Sequence, residues 1–99
     1  MTTVHIQNTV RDFDTWKANF DKYERFRADQ GVQSYRVSRS ITEPDEVLVD
    51  LEFCDETAAH AFLPQLEKIL SSPQAQAQLV RHSVQLYAVV TDRIPAAAS

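Results

Sequence analysis

Three residues place polar atoms where the sequence pattern otherwise expects apolar side chains. Asn8 falls on the apolar side of an alternating stretch, Trp16 on an apolar helix face and Tyr35 on an apolar strand face. Polar groups that converge in an apolar pocket are typical of ligand sites, because they orient the bound molecule. The alternative interpretation is structural: core aromatic residues bonded to the backbone, and an amide satisfied at a strand end.

His82 is a candidate acid or base. It lies between the last predicted helix and the last predicted strand, where an imidazole that titrates near neutral pH can reach the open end of a pocket. The alternative is a solvated loop histidine without a catalytic role. His5 falls on a mixed sheet face and His60 opposite the apolar stripe of its helix, so neither is predicted to be catalytic.

Composition excludes several classes of partner. Ten basic and fourteen acidic residues give a formal charge of −4, and the basic residues are scattered, so no nucleic-acid partner is expected. No apolar run approaches the roughly 20 residues that span a bilayer, so no membrane role is expected. The N-terminus resembles no signal peptide and Cys54 has no intrachain partner, which together favour the cytoplasm.

The sequence predicts neither a metal nor a cofactor. The three histidines lie on separate elements without ligand spacing, and Cys54 lacks a CxxC partner. A chain with one glycine cannot form a glycine-rich phosphate loop, which makes nucleotide cofactors unexpected.

Hydrophobic periodicity predicts the strands that position these residues. Apolar and polar residues alternate over residues 3–10, 33–41, 47–53 and 83–90, as in half-buried strands. Pro44 lies in a turn between the second and third strands, which should therefore form an antiparallel hairpin. A turn centred on Pro44 places Arg36 opposite Glu52.

Helical spacing predicts the remaining elements. A first helix, capped by Asp12 or Asp14, runs towards residue 30 and ends at Gly31, which can adopt a left-handed conformation. A second helix begins at Asp55, with a kink or break expected at Pro64. A third, short helix is expected over residues 74–80, after a serine and proline that are typical of a helix start.

This order of elements predicts an α+β domain with the ferredoxin-like βαββαβ fold. Right-handed crossovers place the helices on one face of a four-stranded antiparallel sheet. Residues 1–94 are expected to form this single domain, and residues 95–99 a short flexible tail. A chain of 99 residues gains stability by burying its open sheet face against a partner, so a homodimer is expected.

Three stretches of the sequence carry a resemblance to a known superfamily: residues 10–17, residues 43–46 and residues 51–58. On these stretches and on element order, the chain resembles the dimeric α/β-barrel superfamily, in particular antibiotic biosynthesis monooxygenase-like proteins. The resemblance implies that sheets from two chains close a barrel. It also implies a ligand pocket between each sheet and its own helices.

The resemblance implies a cofactor-independent monooxygenase that oxidises a small aromatic or polyketide-like molecule with oxygen. Asn8 or Tyr35 would stabilise an oxyanion of the substrate by hydrogen bonds, and His82 would remove a proton from the substrate. The substrate ring would lie among three aromatic side chains, Trp16, Phe20 and Phe62.

Three other functions stay open at this point. Related proteins act as isomerases or polyketide cyclases, and a small dimeric binding module without turnover would share the same scaffold. One branch of the superfamily degrades haem with an asparagine on the first strand and a tryptophan and histidine on the last helical segment. Only Asn8 matches that pattern, and residues 72–80 lack both other residues, so no haem site is predicted.

Overall fold

The computed structural model describes residues 1–96, in which four strands form one antiparallel sheet of order β2-β3-β1-β4. The strands are β1 (Thr2–Val10), β2 (Ser34–Arg39), β3 (Glu46–Phe53) and β4 (Leu79–Ala88). The helices are α1 (Phe13–Asp21), α2 (Glu24–Asp29), α3 (Glu56–Leu70) and α4 (Pro73–Gln78). The predicted ferredoxin-like fold is confirmed.

The expected C-terminal tail lies only partly within the described residues. Residues 95 and 96 belong to no helix or strand, and residues 97–99 lie outside the described residues.

The core lies between one face of the sheet and the helices. Alternate residues of β1 and β3 point inward because side chains of a strand alternate between its two faces. Phe53, which is fully buried, packs against Phe62 of α3 with ring centroids 5.3 Å apart. The buried apolar side chains of the sheet are Val4, Ile6, Val10, Val47, Val49, Leu51 and Phe53.

Side-chain caps begin the helices where the sequence predicts them. Asp12 accepts a hydrogen bond of 3.0 Å from the Thr15 backbone N–H, and Asp55 caps α3 in the same way. Ser72 caps α4, with Pro73 as its first residue. Gly31 has a φ of +94°, the left-handed conformation expected after the end of a helix.

The prediction of one continuous first helix is wrong, because the structure has two helices there, α1 and α2, divided at residues 22 and 23. The Tyr23 backbone N–H bonds to the Phe20 carbonyl at 3.2 Å, which is a tight turn rather than a continued α-helix. Arg27 of α2 also donates from Nη1 to this carbonyl, at 2.9 Å. The break is therefore stabilised by a side chain that satisfies an acceptor at the end of α1.

The break expected at Pro64 is wrong, since α3 runs from Glu56 to Leu70 without interruption. Proline lacks an N–H, so the carbonyl of His60 loses its helical donor. Both His60 and Pro64 lie on the exposed side of α3, where water can bond that carbonyl.

One predicted strand pairing and the predicted start of β4 also differ from the structure. Arg36 pairs with Asp50 rather than with Glu52, because the turn between β2 and β3 is centred one residue earlier than Pro44. β4 begins at Leu79 rather than at residue 83, so His82 lies inside a strand and not in a loop. The first residues of this edge strand are largely exposed, and their side chains therefore lack the alternation that marks a half-buried strand.

The sheet face opposite the helices carries polar and apolar groups together. His5 Nδ1 lies 2.5 Å from Asp50 Oδ1, and the His5 ring meets the Tyr87 ring edge to face at 5.8 Å. Leu48 is 39% exposed and Tyr87 53% exposed on the same face. Among residues 1–96, no helix has the length and apolar character needed to cross a membrane.

Replacing Pro64 with alanine is expected to raise the free energy of unfolding by about 1 to 3 kcal/mol, because it restores a helical N–H and removes a steric clash. Chemical denaturation followed by circular dichroism measures the change. Pro73→Ala is the matched control: at the first position of α4 proline costs little, so stability should stay within about 0.5 kcal/mol. Equal effects of the two substitutions would contradict this account of α3.

Candidate functional site

Asn8 lies on the inward face of β1 and is 4% exposed. Its neighbours on that face, Ile6 and Val10, are buried apolar residues. Within residues 1–96, Asn8 Oδ1 has no hydrogen-bond partner. An unpartnered buried amide costs about 1 to 3 kcal/mol, so Asn8 lowers the stability of the fold unless something binds to it.

A partly open cavity of about 80 Å³ lies between the helices and the sheet, and Asn8 is part of its wall. The wall also includes Trp16, Phe20 and Phe62, the three residues predicted to hold an aromatic ring. Trp16 and Phe20 stack with centroids 5.2 Å apart. The structure thus brings together four of the six predicted site residues.

Arg27 of α2 also lines this cavity, and sequence analysis did not select it. The side chain is 5% exposed and its guanidinium carbon lies 3.7 Å from the centroid of the Phe20 ring. Helical spacing carried a signal, since Phe20, Tyr23 and Arg27 follow one another at three and four residues and would share one face of the single helix predicted from the sequence.

Tyr35 is placed outside the cavity wall, at the end of a short chain of polar contacts. Its hydroxyl donates to Glu24 Oε2, and the same carboxylate oxygen accepts from Arg27 Nη2 at 3.2 Å. The bond from Tyr35 is the main cause that holds the pKa of Glu24 below its ordinary value. The same bond, together with burial, raises the pKa of Tyr35 above its own ordinary value.

His82 pairs directly with Asn8 across β1 and β4, so both side chains leave the same face of the sheet. His82 does not line the cavity but a neighbouring groove of about 420 Å³ beside α3, α4 and β4. Leu66 and Leu70 line both spaces. Asn8 and His82 also line a third, open space of about 320 Å³ together.

The described residues contain no cluster of three or more histidine, cysteine or acidic side chains that could hold a metal ion. What the cavity does hold is an acceptor without a donor and aromatic walls. Such an arrangement suits a small hydroxylated ring, because the walls bury the ring and the amide orients its hydroxyl.

No protein-family model matches the sequence, and no curated protein sequence matches it. Among solved structures, SnoaB, a cofactor-independent oxygenase from Streptomyces nogalater, superimposes with a TM-score of 0.76 at 16% identity, over 92% of this chain and 94% of its own. The fold is that of antibiotic biosynthesis monooxygenase-like proteins.

Two further structures support this assignment of the fold. A proposed antibiotic biosynthesis monooxygenase from Deinococcus radiodurans has a TM-score of 0.67 at 15% identity and covers 99% of this chain and 100% of its own. A dimeric ferredoxin-like protein from an uncultured marine organism has a TM-score of 0.63 at 15% identity, over 93% and 96% of the two chains. At these identities the likeness concerns the fold, and the function must be argued from the site.

The Tyr35–Glu24 contact predicts a particular pH dependence. Because the pKa of Tyr35 is raised, its stabilising contribution is complete below the ordinary value of about 10 and is lost as pH rises through the folded value. Glu24→Gln should bring the ionisation of Tyr35 back towards that ordinary value. Ultraviolet absorbance titration, with Tyr35→Phe subtracted, measures it.

Glu56→Gln is the control for this titration, because Glu56 is exposed and its carboxylate contacts His60 rather than Tyr35. An unchanged Tyr35 titration in Glu24→Gln would contradict the assigned cause.

Proposed function

We propose that the protein is a cofactor-independent monooxygenase-like enzyme that oxidises a small aromatic or polyketide-like molecule with oxygen. One observation carries the proposal: Asn8 lines a cavity walled by aromatic rings, and its buried Oδ1 has no partner among residues 1–96. A purely structural asparagine in a sheet would have found a bonding partner, since buried polar groups almost always do. Cytoplasmic location stays a prediction from sequence.

In this proposal the substrate supplies the electrons and the protein supplies orientation. A ring hydroxyl donates to Asn8 Oδ1 while the ring packs against Trp16, Phe20 and Phe62. A methylene carbon next to the ring loses two hydrogens and gains one oxygen atom as a carbonyl. The second oxygen atom leaves with those hydrogens as water. That SnoaB, a protein with this fold, is a cofactor-independent oxygenase supports an oxygenase without a cofactor here.

In this proposal the cavity enlarges as the ring enters. A cavity of about 150 Å³ takes up benzene, and the cavity here, at about 80 Å³, is roughly half as large. Leu66 and Leu70 line both the cavity and the groove of about 420 Å³, so their displacement would join the two spaces. A ring that enters this way passes His82, which is why His82 stays the candidate base. A catalytic role for Tyr35 stays a prediction, since its hydroxyl is occupied by Glu24.

Asn8→Leu is expected to lower kcat/KM for oxygen-dependent turnover at least tenfold, which is about 1.4 kcal/mol of transition-state stabilisation. The same variant should be more stable by about 1 kcal/mol, because it removes an unpartnered buried amide. An oxygen electrode measures uptake with a panel of hydroquinones and anthrone-like compounds, and denaturation measures stability.

Gln74→Leu is the matched control, since Gln74 is an exposed residue of α4 away from the cavity. Absence of uptake with the whole panel, or equal uptake by wild type and Asn8→Leu, would contradict the proposal. Conversion that proceeds equally without oxygen would indicate an isomerase or cyclase instead.

We further propose that the open sheet face forms a homodimer interface. Dimeric ferredoxin-like proteins are among the structures with this fold. The face presents Tyr87 and Leu48, both partly exposed, around a polar centre formed by His5 and Asp50. A second copy would bury the two apolar side chains and enclose the polar centre, as in interfaces with an apolar core.

Tyr87→Asp is expected to convert the dimer to a monomer, because it places a charge in the buried interface without a partner. Sedimentation velocity at several protein concentrations measures the mass. Ile41→Asp is the control, since Ile41 is fully exposed in the turn between β2 and β3. A wild-type protein that stays monomeric at all concentrations would rule out the interface.

A further inference from the structure

Arg27 is a buried cation, and one of its three guanidinium nitrogens makes no hydrogen bond with the described residues. Its side chain is 5% exposed, and charged side chains are almost never that buried unless they are fully paired. Nη1 donates to the Phe20 carbonyl at 2.9 Å and Nη2 to Glu24 at 3.2 Å. Nε is buried and has no partner among residues 1–96.

A structural role of Arg27 explains the hydrogen bonds of Nη1 and Nη2 but gives no reason for burying the Nε–H. Holding the Phe20 carbonyl joins α1 to α2, and stacking on the Phe20 ring adds a cation–π contact at 3.7 Å. Neither contact requires the Nε–H. The carboxylate of Glu24 neutralises the charge of the Arg27 guanidinium only in part. Glu24 is 63% exposed, and the oxygen that contacts Arg27 also accepts a hydrogen bond from Tyr35.

Arg27 is the only side chain with a formal charge on the cavity wall formed by the described residues. The single other titratable group on that wall is Tyr23. A positive charge beside a largely apolar space acts strongly on a ligand there, since little water screens it. An anionic oxygen would complete the bonding of Nε–H, and charge-assisted hydrogen bonds of this kind are stronger than neutral ones.

The wall of the cavity therefore includes two residues that each have a buried polar atom without a partner among residues 1–96: the acceptor Oδ1 of Asn8 and the donor Nε–H of Arg27. We propose that Arg27 is an oxyanion-binding residue, so that the ligand binds with one ionised ring oxygen on Arg27 Nε–H and one intact hydroxyl on Asn8 Oδ1. The ligand class is the monoanion of a dihydroxylated aromatic ring. This inference rests on the cavity of the proposed function, but it concerns binding and requires no oxidation.

The chromophoric phenol 4-nitrocatechol tests the inference, because its absorbance distinguishes the ionised from the neutral form. Titrating the probe with wild-type protein across pH gives the affinity for each form. Wild type should bind the monoanion at least tenfold more tightly than the neutral form. Arg27→Met should lose that preference, and Arg27→Lys should restore part of it, since lysine keeps the charge.

Arg25→Met is the matched control, being an exposed arginine of the same helix, and should keep the wild-type preference. If Arg27→Met does not fold, the comparison of Arg27→Lys with wild type decides, because loss of the planar donor should still reduce the preference. An unchanged preference in the Arg27 variants, or no binding of the probe to folded wild type, would overturn the inference. Preference for the monoanion without oxygen uptake would support Arg27 while contradicting the proposed oxidation.

Discussion

The burial of one sheet face beneath α3 decides where every candidate group lies. Phe53 and Phe62 lie at the centre of that contact, and the inward residues of β1 and β3 are almost completely shielded from water. Because strand side chains alternate, the register that buries Val4 and Ile6 also forces Asn8 inward. The unsatisfied amide is thus a direct consequence of the packing that stabilises the fold.

The site combines this amide with a buried cation, and each is unfavourable alone. An unpartnered carbonyl oxygen and an unpartnered N–H both lower stability when water cannot reach them. An apolar side chain cannot satisfy either group, because one needs a hydrogen-bond donor and the other an acceptor. Natural proteins tend to break the rules of polar satisfaction at functional sites, and here two such exceptions border one cavity. Their presence on the wall of one cavity, more than the fold, argues for a ligand.

Sequence patterns predicted the residues whose burial imposes a regular spacing. They missed the residues whose position depends on a tertiary contact or on an exposed strand. Alternation placed Asn8 inward, and helical spacing placed Trp16 and Phe20 on one stripe, because burial imposes those periods. Arg27 shared the stripe but is charged, and charge normally indicates a solvent-facing position. The break before α2 depends on a contact between Arg27 and the Phe20 carbonyl, which no local pattern encodes. His82 was misplaced because an exposed edge strand shows little periodicity.

The central position of β1 has a consequence for how Asn8 works. β1 is hydrogen-bonded to β3 on one side and to β4 on the other along most of its length. The backbone of Asn8 is therefore fixed before any ligand arrives, and only the two side-chain torsions are left to orient the amide. Such preorganisation spares the binding event the cost of reorienting a dipole, since that cost was met when the chain folded.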